Sequence, residues 1–576
     1  MIKPFSNILQ KIILDDKDPT KIRGFLRLLA VILGGLHVYA AIQSQSMNAD
    51  GIAYLDIGDA YFRADFSNAI NAVWSPLYSW ILGLVNFIFK PSMEWEFQTV
   101  HIVNFFIYLF ALLSFEFMWG KVRKTNLQPE SQTLPLTIWW VLGYLLFIWT
   151  SLSLIQIWSV TPDMLMAGFV YLAAGLLAKI RSGDEEHRIF LSLGLILGLG
   201  YLSKTFMFST AFVFLGLTWF IQKRTWKSFH KTLLATGMFL LVSLPFIVLI
   251  SNAKGKLTIG EAGTVTYVRH VIGIPYPHWQ GSLELGVFPT HPSRVIHENP
   301  QIYEFGEPVG GTYPITTDPS YWYDGINVQV NLMHLLSPLL ISGIFYVDLF
   351  LQKLGILSAC VLALYLMRPR TRLRLLEVIQ RWALVIPAVT AFGLYALVLV
   401  AGRYIGVFIL LFWADILANI QLPTMPENRS WLKVLSALAV IGLLANITLF
   451  NLDGFNRLNP SLGLIENFNP PAKPLEVAQE LVKLGVEPGD KVGVIGYAYD
   501  SFWARLAGVK IVAEMLEADA IDLWQGDDTL QKSVLESFSK AGVQAVVAEY
   551  VPTDAQLTEW HQVGNSSYFI YVFVEN

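Results

Sequence analysis

Apolar residues in this chain gather into long blocks, separated by short polar stretches rich in proline, glycine or charge. A helix needs about 20 apolar residues to cross a hydrocarbon layer. The blocks predict about eleven such helices, at 25–42, 99–119, 134–150, 164–178, 189–203, 205–221, 231–250, 351–366, 382–400, 404–420 and 431–450. Lys3, Lys11, Lys17, Lys21 and Arg23 precede the first block and Arg27 lies in its first turn, so the positive-inside rule places the N-terminus in the cytoplasm. That basic region is too long for a cleavable signal peptide, and 43–48 lacks a small-x-small pattern. An odd number of crossings puts the C-terminus outside the cell membrane.

Two more apolar pieces, 74–89 and 332–350, are read as helices lying at the outer interface. This keeps two basic runs inside, Lys121, Arg123 and Lys124, then Arg368, Arg370, Arg372 and Arg374. The alternative is that both pieces cross and the charge rule fails twice. The first outer loop is then 43–98 and the large outer loop 251–350.

Past residue 450 the pattern changes. A proline-rich stretch, NPPAKP, lies in a linker at 451–474. Strand-like runs at 491–495, 509–512, 543–548 and 568–574 alternate with helical runs at 475–484 and 530–540, which predicts a small α/β domain over 475–576. No G-x-G-x-x-G follows 491–495, so a dinucleotide site is not expected there, and the tail reads as a structural or acceptor-holding module. The expected fold is therefore a polytopic α-helical membrane body over 1–450, with interfacial helices in its outer loops and an extracytoplasmic α/β domain.

Composition agrees with the blocks. The chain is 54% hydrophobic and only 15% charged, where soluble domains carry about 25% charge. Mean hydropathy is +0.49. A net charge of −4 argues against a nucleic-acid partner. With Cys360 as its one cysteine, the chain has no intrachain disulfide and no thiolate zinc site. The 14% of aromatic residues suits membrane interfaces and is compatible with saccharide stacking.

Chemistry concentrates just after the first block, in NADGIAYLDIGDAYFRADF, which carries Asp50, Asp56, Asp59 and Asp65. As a helix it sets Asp50 and Tyr54 on one face and Asp56 and Asp59 on another. Such acids at the mouth of a bundle act as a general base, hold a cation, or form a solvated loop. Next comes NAVWSPLYSW, where Pro76 fits a first helical turn and Trp74, Tyr78 and Trp80 are interface-belt residues. Asp163, Lys204, Arg269, His270 and Arg403 also map to the outer ends of their segments. Lys204 either meets an anion or snorkels, and Arg403 has the same two readings. Asp163 either caps a helix or orients the site.

The large loop is dense in Gly, Pro, Tyr, Trp and His, as expected of a loop ordered by turns and aromatic packing. His270, His278, His291 and His297 follow no strong metal spacing. Trp279, Tyr321 and Trp322 are read as a saccharide-stacking wall or membrane contacts. Asp318 and Asp324 can join Asp50 around a divalent ion, although no spacing demands one, so the cofactor is left unknown.

The order of these elements resembles the lipid-linked sugar transferases of the GT-C class, in the branch of protein O-mannosyltransferases and the lipid A aminoarabinose transferase. That branch opens its first loop with D-E-x-x-Y. Here Asp50-Gly51-Ile52-Ala53-Tyr54 stands with Gly51 in place of glutamate, and its G-D-W reads Ala64-Asp65-Phe66. Its K-P-P-L-Y reads Trp74-Ser75-Pro76-Leu77-Tyr78, without the lysine associated with the lipid phosphate. Thr161-Pro162-Asp163, GLGYLSK ending in Lys204, and Gly402-Arg403-Tyr404 complete the set. The resemblance covers roughly 20–450 at the level of motifs and leaves the tail out.

It implies a membrane hexosyl- or pentosyltransferase that moves a sugar from a polyprenyl-phosphate donor to a hydroxyl of a glycan, lipid or protein. Asp50 would be the base. Tyr54, Lys204, Arg269 and Arg403 would bind substrate and phosphate, with Asp56, Asp163, His270 and Tyr78 in support. Rival readings are a flippase or transporter of lipid-linked saccharides, a polymerase or ligase whose key arginines lie in a later loop, and an assembly protein that presents its tail.

Overall fold

A computed structural model describes residues 20–124, 133–222, 226–274, 278–282, 288–289, 291, 293–307, 309–318, 326, 331–366, 381–420, 428–457, 472–555, 557 and 559–573. The membrane body begins with α1 (Thr20–Gln43), α2 (Ala49–Phe62), α3 (Pro76–Phe89), α4 (Glu96–Lys124), α5 (Leu136–Trp149), α6 (Asp163–Arg181), α7 (His187–Ser203), α8 (Met207–Ile221) and α9 (Trp226–Lys254). It continues with α10 (Leu336–Val347), α11 (Gly355–Leu366), α12 (Val385–Ala396), α13 (Gly402–Ala418) and α14 (Asn428–Arg457). The tail adds α15 (Pro474–Lys483), α16 (Trp503–Ala507), α17 (Glu517–Gln525) and α18 (Asp528–Lys540).

Among the described residues, seven helices are long and apolar enough to cross a membrane. They comprise α1, α4, α6, α9, α5 prolonged to Ile155, α10 prolonged to Lys353, and the stretch Trp431–Leu449 of α14. The blocks at 189–203, 205–221, 351–366 and 382–400 form helices of 17, 15, 12 and 12 residues. Six of the eleven expected spans thus meet the length, four form these shorter helices, and 404–420 forms α13 of 17 residues, while the seventh long helix, α10 prolonged to Lys353, was not among the eleven.

Two local results bear on the site. Helix α2 is an interior helix, with apolar and polar residues alike buried around its circumference. It can pack tightly on α3 because Gly58 and Gly83 meet there: a Cβ on either would lie 2.6 Å from a backbone oxygen of the other helix. Small residues at such crossings let backbones approach. Helix α3 starts on Pro76 at its first turn, ends on left-handed Lys90, and at 14 residues is too short to cross.

The piece at 332–350 forms α10, prolonged to Lys353, and leaves most of its apolar side chains exposed. Ser342 Oγ donates to Ala396 O at 3.2 Å and Tyr346 OH to Phe392 O at 2.7 Å, so α10 runs antiparallel along α12 at the periphery of the body. The helix breaks at Leu354 and resumes as α11, which packs on α14. Gln352, Lys353 and Gly355 mark this break in the sequence. Arg368, Arg370, Arg372 and Arg374, on which the interfacial reading leaned, lie outside the described residues, as do Tyr321, Trp322, Asp324 and most of the linker at 451–474.

The tail forms a sheet ordered β1-β2-β4-β3-β5-β7-β6. Strands β3 (Lys491–Gly496), β4 (Lys510–Leu516) and β5 (Ala545–Ala548) are parallel, and β7 (Phe569–Val572) and β6 (His561–Gln562) continue antiparallel. The sheet is not made by the tail alone. A hairpin of the large loop, β1 (Arg294–His297) and β2 (Ile302–Glu304), pairs along β4 through Tyr303 and Glu514. It covers an edge that would otherwise present unpaired backbone groups. A buried network locks this joint. His278 meets Ser293 Oγ at 2.7 Å and Glu514 Oε1, Tyr313 OH donates to that same oxygen at 2.8 Å, and the His278 ring stacks 4.0 Å from Tyr303. The large loop therefore shares the core of the tail, and that core reaches Ile52 of α2 and Phe97 of α4.

Candidate functional site

The start of α2 is pinned by reciprocal bonds: Asn48 Nδ2 donates to Val160 O at 3.3 Å, and Val160 N to Asn48 Oδ1 at 2.8 Å. This brings the turn before α6 against the first turn of α2, and so Asp163 beside Asp50. The same approach explains Gly51. A Cβ there would sit 2.8 Å from the Val160 side chain, so a glutamate has no room.

Asp50, Tyr54, Asp163, Lys204, Arg269, His270 and Arg403 all line one cavity of about 600 Å³. Arg403 joins its acids. Its Nη1 lies 3.0 Å from Asp50 Oδ2 and its Nε 3.9 Å from Asp163 Oδ2, while Lys204 Nζ pairs with Asp163 Oδ1. Arg403 is the one ion-pair partner of Asp50 among the described residues. Tyr404 seats both cations, with Lys204 Nζ 4.0 Å from its ring centroid and its hydroxyl accepting from Arg403 Nη2 at 3.2 Å. Lys204 follows the last turn of α7 in extended conformation, where the chain breaks before α8. Asp163 opens α6 and is buried, so it both stands at a helix N-terminus and orients the two cations.

Three cations, Lys204, Arg269 and Arg403, face two carboxylates, Asp50 and Asp163, which leaves an excess of one positive charge with His270 neutral. Burial and the adjoining Arg269 charge both hold the His270 imidazole below its ordinary value, favouring that neutral form. Trp74 lines the cavity and donates from Nε1 to Thr316 O at 2.9 Å. Leu394, Val398 and Leu399 give the cavity an apolar side.

Asp56 and Tyr78 do not reach the cavity. Asp56 accepts from Thr312 N at 2.7 Å and Thr312 Oγ1 at 2.9 Å, and pairs with Arg505 of the tail at 2.8 Å. Arg505 also holds Asp59 at 2.6 Å and Glu96 at 2.5 Å, so this acidic face of α2 is a dock for the tail. Tyr78 is buried, donates to Asn104 Oδ1 at 2.7 Å, and meets Tyr54 edge-on at 5.1 Å. Trp279 is neither a cavity wall nor a membrane contact, since it is buried in the core shared by loop and tail. Asp318 does not line the cavity, and among the described residues no three His, Cys, Asp or Glu side chains gather as a metal site.

Sequence reasoning missed Tyr499 in the wall and Arg505 as the clamp, and noted Tyr404 only within Gly402-Arg403-Tyr404. Burial and the nearby Asp50 charge raise the Tyr499 hydroxyl to about 12. One signal for Tyr499 was available: it follows the first parallel strand of an α/β sheet, where such folds place ligands.

No family model matches the chain, and no curated protein matches it. Among solved structures it is similar to ArnT from Cupriavidus metallidurans in the apo state, at 14% identity and a TM-score of 0.49, over 94% of this chain and 97% of that one. The same protein bound to undecaprenyl phosphate gives 12% and 0.48 over the same shares. An Archaeoglobus fulgidus oligosaccharyltransferase in complex with Zn and sulfate gives 11% and 0.45, over 91% of this chain and 67% of that one.

Proposed function

We propose that this chain transfers a sugar from a polyprenyl-phosphate donor to a hydroxyl acceptor in a single displacement, with Asp50 as the base. One observation carries the reading: Arg403 bridges Asp50 and Asp163 inside a cavity whose cations exceed its carboxylates by one. A sugar phosphodiester carries one negative charge and gains a second as the sugar departs, so the site is built for the charge that develops at the leaving group.

In the proposed step the acceptor oxygen attacks the anomeric carbon. The bond from that carbon to the phosphate oxygen breaks, and its electron pair stays on the phosphate. The acceptor proton passes to Asp50. One displacement inverts the anomeric centre. No general acid is needed, because phosphate leaves readily. Lys204, Arg269 and Arg403 receive the developing dianion, and an arginine fork suits its oxygens. The apolar side formed by Leu394, Val398 and Leu399 suits the donor's isoprenoid. Arg23, Arg27, Lys121, Arg123 and Arg181 cluster at the end of the body far from Asp50, which supports placing the site on the outer face of the cell membrane.

The test is transfer from a panel of polyprenyl-phosphate sugars by membranes carrying wild type or Asp50→Asn. Product from wild type and at least a thousandfold less from the variant supports the reading. Equal product from both sinks Asp50 as the base.

A further inference from the structure

A second cavity, of about 500 Å³, lies on the tail side of Asp50. It meets the first only at Asp50, Arg403 and Tyr499. The rest of its wall includes Asn48 and Ser159 from the body and Asp500, Phe502 and Tyr550 from the tail. The sheet explains why those tail residues converge. Chain order runs from β3 outward to β4 on one side and to β5 on the other, so the strand order reverses between β3 and β5. In open α/β sheets, ligands bind at the carboxyl ends of the strands flanking such a reversal. Tyr499 and Asp500 follow the carboxyl end of β3, and Tyr550 follows that of β5. This crevice opens directly onto Asp50.

We propose that the crevice is the acceptor subsite and that it takes an uncharged saccharide. The inference rests on the transferase reading above and names the class of its acceptor. Its wall combines aromatic rings with hydrogen-bond acceptors, which suits a sugar's apolar faces and its hydroxyls. Its charge excludes an anion: Asp50 and Asp500 both face the space, and its one cation, Arg403, is already committed to Asp50 and Asp163. Tyr550 is 39% exposed and holds a left-handed backbone, φ 55°, which a bulky residue rarely adopts. Glu549 anchors the β3 loop from behind, accepting from Ser501 Oγ at 2.6 Å and Trp503 Nε1 at 2.9 Å. The acceptor hydroxyl thus reaches Asp50 from the tail side while the donor phosphate lies in the first cavity, as an in-line displacement requires.

The experiment uses the full chain in host membranes whose polyprenyl-linked sugars carry a metabolic label. Acceptors are the host's envelope glycans, split by anion exchange into neutral and phosphate- or carboxylate-bearing fractions, and its envelope proteins. Label in the neutral fraction is expected, with the acceptor KM raised at least tenfold in Asp500→Asn and in Tyr550→Gly and the donor KM moved less than twofold. Tyr550→Gly relieves the left-handed strain, so it keeps the fold. Label in the anionic glycans or in protein overturns the inference, as does an unchanged acceptor KM in both variants. Transfer retained by Asp50→Asn instead sinks the transferase reading, so the two failures are told apart.

Discussion

The two ends of the helical body use the same ingredients to different ends. Far from the cavity, Glu116 is buried and saturated: Arg27 Nε and Tyr144 OH reach Oε1, and Arg23 and Arg27 reach Oε2 at 2.6 and 2.5 Å. Asp415 is equally enclosed. It accepts from Leu384 N at 2.7 Å and Val385 N at 3.2 Å, capping the start of α12, and from Asn419 at 3.1 Å, beside Arg181 at 3.5 Å. Asp50 instead has Arg403 on one oxygen and open cavity beyond. Buried charges that are fully paired hold helices together, whereas a carboxylate left partly open beside shared cations is free to take a proton. Saturation, more than burial, separates Glu116 and Asp415 from Asp50.

The largest break in that comparison is expected from paired substitutions. Asp50→Asn should lower transfer by about a thousandfold or more while protein level and thermal midpoint stay put. Glu116→Gln should do the reverse, costing about 1–2 kcal/mol by weakening its bonds to two half-exposed arginines and Tyr144, with turnover per folded molecule preserved. Unfolding curves beside the transfer assay read both. Next, Lys204→Met should lower kcat/KM for the donor about a hundredfold, since it removes a charge from the phosphate site and frees Asp163.

A fourth substitution sharpens the boundary between dock and site. Arg505→Met leaves Asp56, Asp59 and Glu96 facing one another. The tail should loosen, seen as faster proteolysis between body and tail. Acceptor KM should rise while donor KM does not, and Arg505→Lys should recover part of the loss. The smallest effect is a pH dependence. Burial raises Glu549 from 4.5 to about 7. The folded tail keeps this proton where the unfolded chain releases it, so stability falls as pH rises from about 4.5 to 7, by roughly 3 kcal/mol. Thermal unfolding across that range should show the fall in wild type and a flatter curve in Glu549→Gln.

Much of the fold was legible because its signals are local. Long apolar blocks announce helices wherever they pack, and strand runs bounded by turns, such as 491–495 and 543–548, lie within a residue or two of β3 and β5. The loop hairpin was not legible, because strands of four and three residues carry no periodicity and exist only through β4. The break at Leu354 was legible to within a few residues, because Gln352, Lys353 and Gly355 interrupt the apolar run between 332–350 and 351–366. In the site, Asp50 stood out as an acid at the mouth of a span, and Lys204 and Arg403 as charges beside apolar runs. Asp56 was read as a supporting residue of the same site because it lies with Asp50 in one acidic helix. What divides them are Thr312 and Arg505, hundreds of residues away, which no local pattern reveals.

The most direct test of the central claim is turnover per folded molecule for Asp50→Asn, normalised against Glu116→Gln in the same membranes. The account predicts that Asp50→Asn is folded and inert, with less than a thousandth of wild-type transfer, while Glu116→Gln is less stable and retains its turnover. An Asp50→Asn protein that keeps more than a tenth of wild-type transfer contradicts it and moves the chemistry away from this cavity.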